Sequence, residues 1–216
     1  KRLNEIFAWF CETAFHTDEE IGWIGLQFTD TEKWNMVPIG MQLYDGLSGI
    51  AVFLAAYQKE FADAASAVLL DKVKRRLFVY TDMERSPEDK NGKNGMLEGD
   101  SSIAAAYLML YEITGEMDYL RYAEKQFQKV EDLCGQSDDY MGGGAGQLLL
   151  SLKLYKNIGN KRYIELAKRY EKELWEHSFI AVKGVGWKTC DGPPLAGMAH
   201  GSSGILMAYA ELLRVT

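Results

Sequence analysis

One histidine in this chain stands where imidazole chemistry is easy to arrange. His200 closes the run Pro193-Pro194-Leu195-Ala196-Gly197-Met198-Ala199 and opens Gly201-Ser202-Ser203-Gly204, just ahead of the apolar stretch Ile205–Leu213. Glycines there let the backbone turn tightly and let a reacting group approach it. His16 and His177 lie at the ends of helix-like segments and read as surface residues or helix C-terminal caps. For His200 a structural, hydrogen-bonded role and an acid–base role both stay open. Two carboxylates sit at comparable turns: Asp139 before Gly142-Gly143-Gly144 and Asp45 before Gly46. On one shared rim either could orient the imidazole; the alternative for each is to cap the turn or helix that follows. The triple glycine lacks the preceding strand and the following Lys of a P-loop.

The cysteines offer less. Cys11, Cys134 and Cys190 are far apart and in no Cys-x-x-Cys spacing, which argues against a disulfide framework and for a reducing setting. Cys190 lies ten positions before His200, but zinc needs three or four convergent ligands and no further set has sensible spacing. It reads as an ordinary thiol, and Cys11 and Cys134 as apolar-face or helix-end residues.

The elements that must position these groups are helices. Residues 2–16 carry Leu3, Ile6, Phe7, Phe10 and Ala14 on one helical face, and residues 17–40 read as irregular. Beyond them two kinds of segment alternate. Ile50–Tyr57, Ile103–Tyr111, Leu148–Leu154 and Ile205–Leu213 are apolar on nearly every side, as helices buried all round must be. Residues 62–78, 117–133 and 161–177 are amphipathic, with one wet face. Lys74-Arg75-Arg76, the densest basic run, reads as part of such a face.

Each apolar run is headed by a glycine-type turn: Gly46/Gly49, Gly99/Ser102, Gly143/Gly146 and Gly201/Gly204, stepping 53, 44 and 58 residues from 46 to 99, 143 and 201. Gly115-x-x-x-Tyr119-Leu120 and Gly159-x-x-x-Tyr163-Ile164 repeat 44 residues apart. Such steps lie at or just above the upper end of known repeat periods, about 20–50 residues. The expected fold is all-α: an α/α toroid of helical hairpins, apolar helices inside and amphipathic ones outside, with β structure minor. Tetratricopeptide-type solenoids fit less well, because their two helices are similarly amphipathic.

The net charge of −7 and a pI near 5.1 exclude a general nucleic-acid binder. No apolar run reaches membrane-spanning length, and Asn4, Glu5 and Glu12 do not suit a signal peptide. The chain opens at Lys1, so it is expected to be a piece of something longer.

Trp23-Ile24-Gly25-Leu26, Leu43-Tyr44-Asp45-Gly46-Leu47-Ser48-Gly49-Ile50-Ala51, Asp139 with Gly143, Ala145 and Gly146, and Gly186-Trp187 through Pro194-Leu195-Ala196-Gly197-Met198-Ala199-His200-Gly201-x-x-Gly204-Ile205 together resemble the cyclase domain of class II (LanM-type) lanthipeptide synthetases, itself similar to stand-alone LanC cyclases. Gly99-Asp100-Ser101-Ser102 is a degenerate form of the corresponding turn. The resemblance runs over residues 1–216 and implies a LanC-like toroid holding zinc at its mouth. It further implies addition of a peptide Cys thiolate to dehydroalanine or dehydrobutyrine, giving a thioether ring. His200 matches the family's acid/base His, and Asp139 the Asp beside the same centre.

In that family the zinc ligands, a Cys after a Trp and a later Cys-His pair, follow the His-Gly motif, whereas this chain runs only to Thr216. The chain is therefore expected to be the first four or so hairpins of the domain, without the zinc site and inactive alone. The implied partners are a precursor peptide and the rest of the synthetase, with an upstream dehydratase domain. The implied location is the bacterial cytoplasm, with membrane contact through an exporter complex. Uncovered inner-helix surface would favour self-association. Two other readings remain: an α/α-toroid carbohydrate enzyme using Asp45 and Asp139 as general acid and base, or a non-catalytic peptide-binding toroid.

Overall fold

The computed structural model describes residues 1–28, 33–84, 94–132, 137–182, 184–188 and 193–216. Helix α1 (Arg2–Thr13) is followed by two small antiparallel hairpins, β1 (Phe15–His16) with β2 (Ile21–Gly22), and β3 (Ile24–Phe28) with β4 (Trp34–Pro38). Three helical hairpins come next: α2 (Leu47–Phe61) with α3 (Ala64–Asp82), α4 (Ser101–Thr114) with α5 (Met117–Gln128), and α6 (Gly144–Ile158) with α7 (Arg162–Glu176). A third β-hairpin, β5 (Phe179–Ala181) with β6 (Gly184–Gly186), leads to α8 (Ser202–Leu213).

Helix α2 packs on α4, α4 on α6 and α6 on α8, while α3 packs on α5 outside them. This is the expected two-layer arc, with three complete hairpins and the inner helix of a fourth among the described residues. Burial follows the pattern of the sequence. In α4 every residue from Ser101 to Leu108 is buried, and in α6 every residue from Ala145 to Leu152. The outer helices bury one stripe, such as Tyr163, Leu166, Ala167, Tyr170 and Leu174 of α7. The repeated connections are left-handed caps: Gly115 and Gly159, with φ of 75° and 77°, donate from N–H to Tyr111 O and Tyr155 O at 2.8 Å. In the first hairpin Ala62 does the same work at φ 50°, a position that favours glycine.

The turns ahead of the inner helices lock together. Tyr44 N–H donates to Leu97 O at 3.1 Å, Leu97 N–H to Met141 O at 3.0 Å and Met141 N–H to Ala199 O at 3.1 Å. The steps along this ladder, 44 to 97, 141 and 199, are the same 53, 44 and 58 residues as the glycine repeat. Gly46, Gly143 and Gly201 are the N-caps of α2, α6 and α8, with extended backbones near φ −135°. A Cβ on any of them would strike the carbonyl of the residue six positions earlier.

The second turn departs from the expected register. Gly99 is no helix cap but a left-handed turn residue at φ 72°, and α4 starts two positions later, capped by Asp100. Ser101 there donates its hydroxyl to Gly95 O at 2.7 Å, again six residues back.

Two other expectations are corrected. Residues 17–40 are not irregular throughout, since they hold β2, β3 and β4, and the helix expected over 2–16 ends at Thr13, with Phe15–His16 pairing to β2 as β1. Ile24-Gly25-Leu26-Gln27-Phe28 and Trp34-Asn35-Met36-Val37 do alternate with the period of a strand, but the apolar side, with Leu26, Trp34 and Met36, is exposed rather than buried. Nor is Lys74-Arg75-Arg76 simply solvated. Arg76 Nη1 donates to Ile21 O at 2.5 Å, tying β2 to α3, and Lys74 pairs with Glu116 with its Nζ 5.0 Å from the centre of the Tyr119 ring. His16 is exposed in β1, and His177 is the C-terminal cap of α7, as its position suggested. Among the described residues no helix is long and apolar enough to cross a membrane.

The locked turns carry a test. A Cβ on Gly146 would strike Met96 N and Tyr140 O, whereas one on Gly197 meets nothing within 4 Å. Gly146→Ala is expected to lose about 2–3 kcal/mol of unfolding free energy in urea titrations, and Gly197→Ala to stay within about 0.5 kcal/mol of the parent.

Candidate active site

Asp139 sits in the turn that enters α6, and both ends of that turn are tied down. Gly144 N–H donates to Ser137 O at 3.0 Å and Ala145 N–H to Asp138 O at 3.2 Å, so the loop closes onto the first turn of the helix. The Asp139 residue is only 3% exposed. One carboxylate oxygen, Oδ1, accepts from Gly142 N–H at 2.8 Å. The other, Oδ2, lies 2.9 Å from Nδ1 of His200. The turn-capping and imidazole-orienting readings of Asp139 are therefore both realised, one on each oxygen.

His200 immediately precedes Gly201, the N-cap of α8. Two contacts set it against Asp139: the ladder bond from Met141 to Ala199, and the close fit of Gly204, where a Cβ would come within 2.8 Å of Tyr140 Cβ. A carboxylate can only accept, so Nδ1 carries a hydrogen, and in the neutral ring Nε2 then has the lone pair. The side chains of the pair are 44% exposed for His200 and 4% for Asp139: a buried anchor beneath a reachable ring. That division suits proton transfer at Nε2.

A second pair lies beside the first. Asp138, next along the chain, meets His177 Nδ1 at 2.7 Å, which pins the turn to the end of α7. The hydrogen bond to Asp138 raises the His177 pKa above its ordinary value, against the opposing effect of burial and with the charges of Asp138, Glu173 and Glu176 adding to the rise. No local pattern signals this pairing, because it joins residues 39 apart whose meeting depends on where α7 ends.

Asp45 does not join His200. In the ladder register it holds the place in the first turn that His200 holds in the fourth, three steps away. It lines a surface pocket with Trp9, Trp23 and Tyr44 and makes no hydrogen bond or ion pair among the described residues. Cys11 is a free, half-buried thiol whose pKa is raised, first by burial and then by Asp63 and Glu12. Cys134 and Cys190 lie outside the described residues. Among those described, no three His, Cys, Asp or Glu side chains converge as metal ligands.

A glycine-turned helical arc with a His–Asp pair at its rim has relatives. The family described as lanthionine synthetase C-like protein matches residues 37–216. The chain belongs to that family. The resemblance carried by the His-Gly and Asp-glycine motifs is thus borne out, and so is the toroid class. Over 221 aligned residues the chain is 25% identical to the lacticin 481/lactococcin biosynthesis protein LcnDR2 of Lactococcus lactis subsp. lactis, covering 99% of this chain and 22% of that protein. Among solved structures, nisin cyclase superposes with a TM-score of 0.61 at 16% identity, over 82% of this chain and 47% of that one, which speaks for the fold. A family 76 glycoside hydrolase (mannosidase) from Bacteroides thetaiotaomicron matches at a TM-score of 0.46 and 14% identity, too loosely to carry an argument. The chain thus spans about a fifth of the curated relative and about half of the cyclase structure.

Two measurements check the site. In ¹⁵N-edited imidazole spectra, Asp139→Asn is expected to move the His200 hydrogen from Nδ1 to Nε2, since an amide NH₂ facing Nδ1 makes that nitrogen an acceptor. For His177 the folded pKa is raised, so the pair's stabilisation is fully present below the unfolded value, about 6.5, and is lost as pH rises through the folded value. Stability measured across that window is expected to fall with rising pH in the parent. In Asp138→Asn this component of the fall should be absent.

Proposed function

We propose that this chain is part of a lanthipeptide cyclase, in which His200 is the acid/base residue and Asp139 holds it. The observation that carries the reading is the 2.9 Å contact between His200 Nδ1 and the buried Asp139, with the His200 side chain 44% exposed. Family membership supplies the reaction class, and the name of LcnDR2 ties a relative to lacticin biosynthesis.

In the proposed reaction a cysteine thiol of the substrate peptide loses its proton and its sulfur bonds to the β-carbon of a dehydroalanine or dehydrobutyrine. The carbon–carbon π pair moves onto the α-carbon and its carbonyl as an enolate. A proton then returns to the α-carbon, so nothing is oxidised or reduced and no group leaves. His200, its side chain partly exposed and its Nε2 not engaged by Asp139, receives or delivers that proton. Asp139 keeps the ring oriented and stabilises it when it is charged.

Zinc remains a proposal for the whole domain, where it would hold the thiolate near neutral pH. The described residues do not supply a ligand set, so no step above runs through the metal. The precursor peptide, an upstream dehydratase domain, a cytoplasmic setting and inactivity of the chain by itself belong to the same proposal. Leu206 and Leu213 on α8 are exposed, which supports the expectation that the isolated chain self-associates.

The test uses the intact synthetase and a dehydrated precursor, with free cysteines trapped by alkylation and counted by mass spectrometry. His200→Asn is expected to slow ring closure about 10²–10⁴-fold, or to misdirect it, while bound zinc stays as in the parent. Ring closure at the parental rate and pattern would make His200 structural.

A further inference from the structure

The pocket at the first turn is built at the same rim as His200 but from different material. It has a volume of about 440 Å³ and lies between α1, β3 and the turn that enters α2. Trp23 forms its floor, 4% exposed and held by an Nε1–H bond to Phe10 O at 3.0 Å. Trp9 and Tyr44 flank it at 56% and 67% exposure, and Asp45 stands at its edge. Trp9, Trp23 and Ile24 precede the family-matched residues 37–216, whereas Tyr44 and Asp45 lie within them.

Its chemistry favours a cation. Aromatic faces attract ammonium and guanidinium groups, and a carboxylate beside them completes the recognition. Asp45 is available for this, because no side chain or backbone N–H of the described residues occupies it. The surrounding protein is acidic overall, at −7. A purely apolar side chain would leave the carboxylate without a role.

The ladder supplies a distance. From Tyr44, beside Asp45, to Ala199, beside His200, there are three hydrogen-bonded backbone steps. At about 4.8 Å per step this is roughly 14 Å, and an extended peptide covers it with about four or five residues. Resting on the cyclase reading, we propose that the pocket binds a Lys or Arg side chain of the substrate peptide about four or five residues from the cysteine that reacts at His200.

The first test needs no catalysis. The probe is a short acetylated, amidated peptide with Lys as its only charge and no Cys, compared with its norleucine counterpart on the ¹⁵N-labelled chain. The Lys peptide is expected to shift the Trp9 indole resonance and to bind about tenfold more tightly than the norleucine peptide. Asp45→Asn should erase that difference, and Trp9→Leu should weaken the Lys peptide as well. Equal binding of the two peptides, indifference to Asp45→Asn, or a pocket covered by a second copy of the chain that the Lys peptide does not displace would each overturn the proposal.

The second test uses the intact synthetase with Asp45→Asn and a precursor carrying a Lys at that spacing. KM is expected to rise about tenfold, with a smaller effect on kcat. Ring closure with unchanged KM would sink the pocket and leave the cyclase reading standing. No ring closure by the parent enzyme, with the Lys-peptide shift intact, would sink the cyclase reading and leave the pocket.

Discussion

The structure depends on one run of backbone hydrogen bonds, from Tyr44 through Leu97 and Met141 to Ala199. Each turn must sit close enough to the next for N–H to reach C=O while its own chain folds back onto the helix it opens. That leaves no room for a side chain at Gly46, Gly143 or Gly201, each of which faces a carbonyl six residues earlier. Extended backbone near φ −135° is open to any residue, so glycine is needed there for space and not for its dihedral freedom. The ladder also fixes the site. Its last step, Met141 to Ala199, brings the Asp139 turn against the residue before His200, and a 2.9 Å contact follows from it.

Asp139 shows why a structural and a functional role need not compete. A buried carboxylate is costly unless its oxygens are satisfied, and here Gly142 N–H takes one and the His200 ring the other. The first bond shapes the turn; the second gives the imidazole a fixed tautomer and a fixed direction. Adjacent Asp138 repeats the device outward, with His177 at the end of α7. Two neighbouring carboxylates thus fasten one turn to both layers of the arc.

Much of this is legible in the amino-acid sequence. The steps of 53, 44 and 58 residues between glycine turns are the steps of the ladder, because both record how much chain each hairpin consumes. The all-round apolar runs became the inner helices for the same reason: a helix packed on several sides has no wet face. What escaped depended on partners distant in sequence. Gly99 resembles Gly46 in sequence, but α4 starts two residues after it, with Asp100 as N-cap and the Ser101 hydroxyl bonded to Gly95 O. Arg76 looked wet because nothing near it in sequence signals Ile21 O. The β3–β4 hairpin alternates correctly, yet its apolar side is exposed, which is the reverse of what alternation is normally read to mean.

The placement of His200 poses a packing problem that the chain solves locally. Helix α8, which it precedes, is the least buried inner helix described: it hides Gly204, Ile205, Ala208 and Leu212 but leaves Leu206 and Leu213 exposed. A catalytic ring on such an element needs support from elsewhere. Trp187 supplies part of it, fully buried, with Nε1–H donating to Leu174 O at 2.6 Å and its ring 5.9 Å from that of Tyr209 on α8. Tyr209 in turn donates to Glu171 O on α7 at 3.2 Å. At the other end Gly204 fits against Tyr140, one residue from Asp139. Helix α8 thus packs on α6, is tied to α7 through Tyr209, and is fitted to the Asp139 turn at its start. The imidazole therefore keeps its geometry from the packing of α8 on α6, the Tyr209 tie to α7 and the Asp139 turn, none of which needs the exposed Leu206 or Leu213.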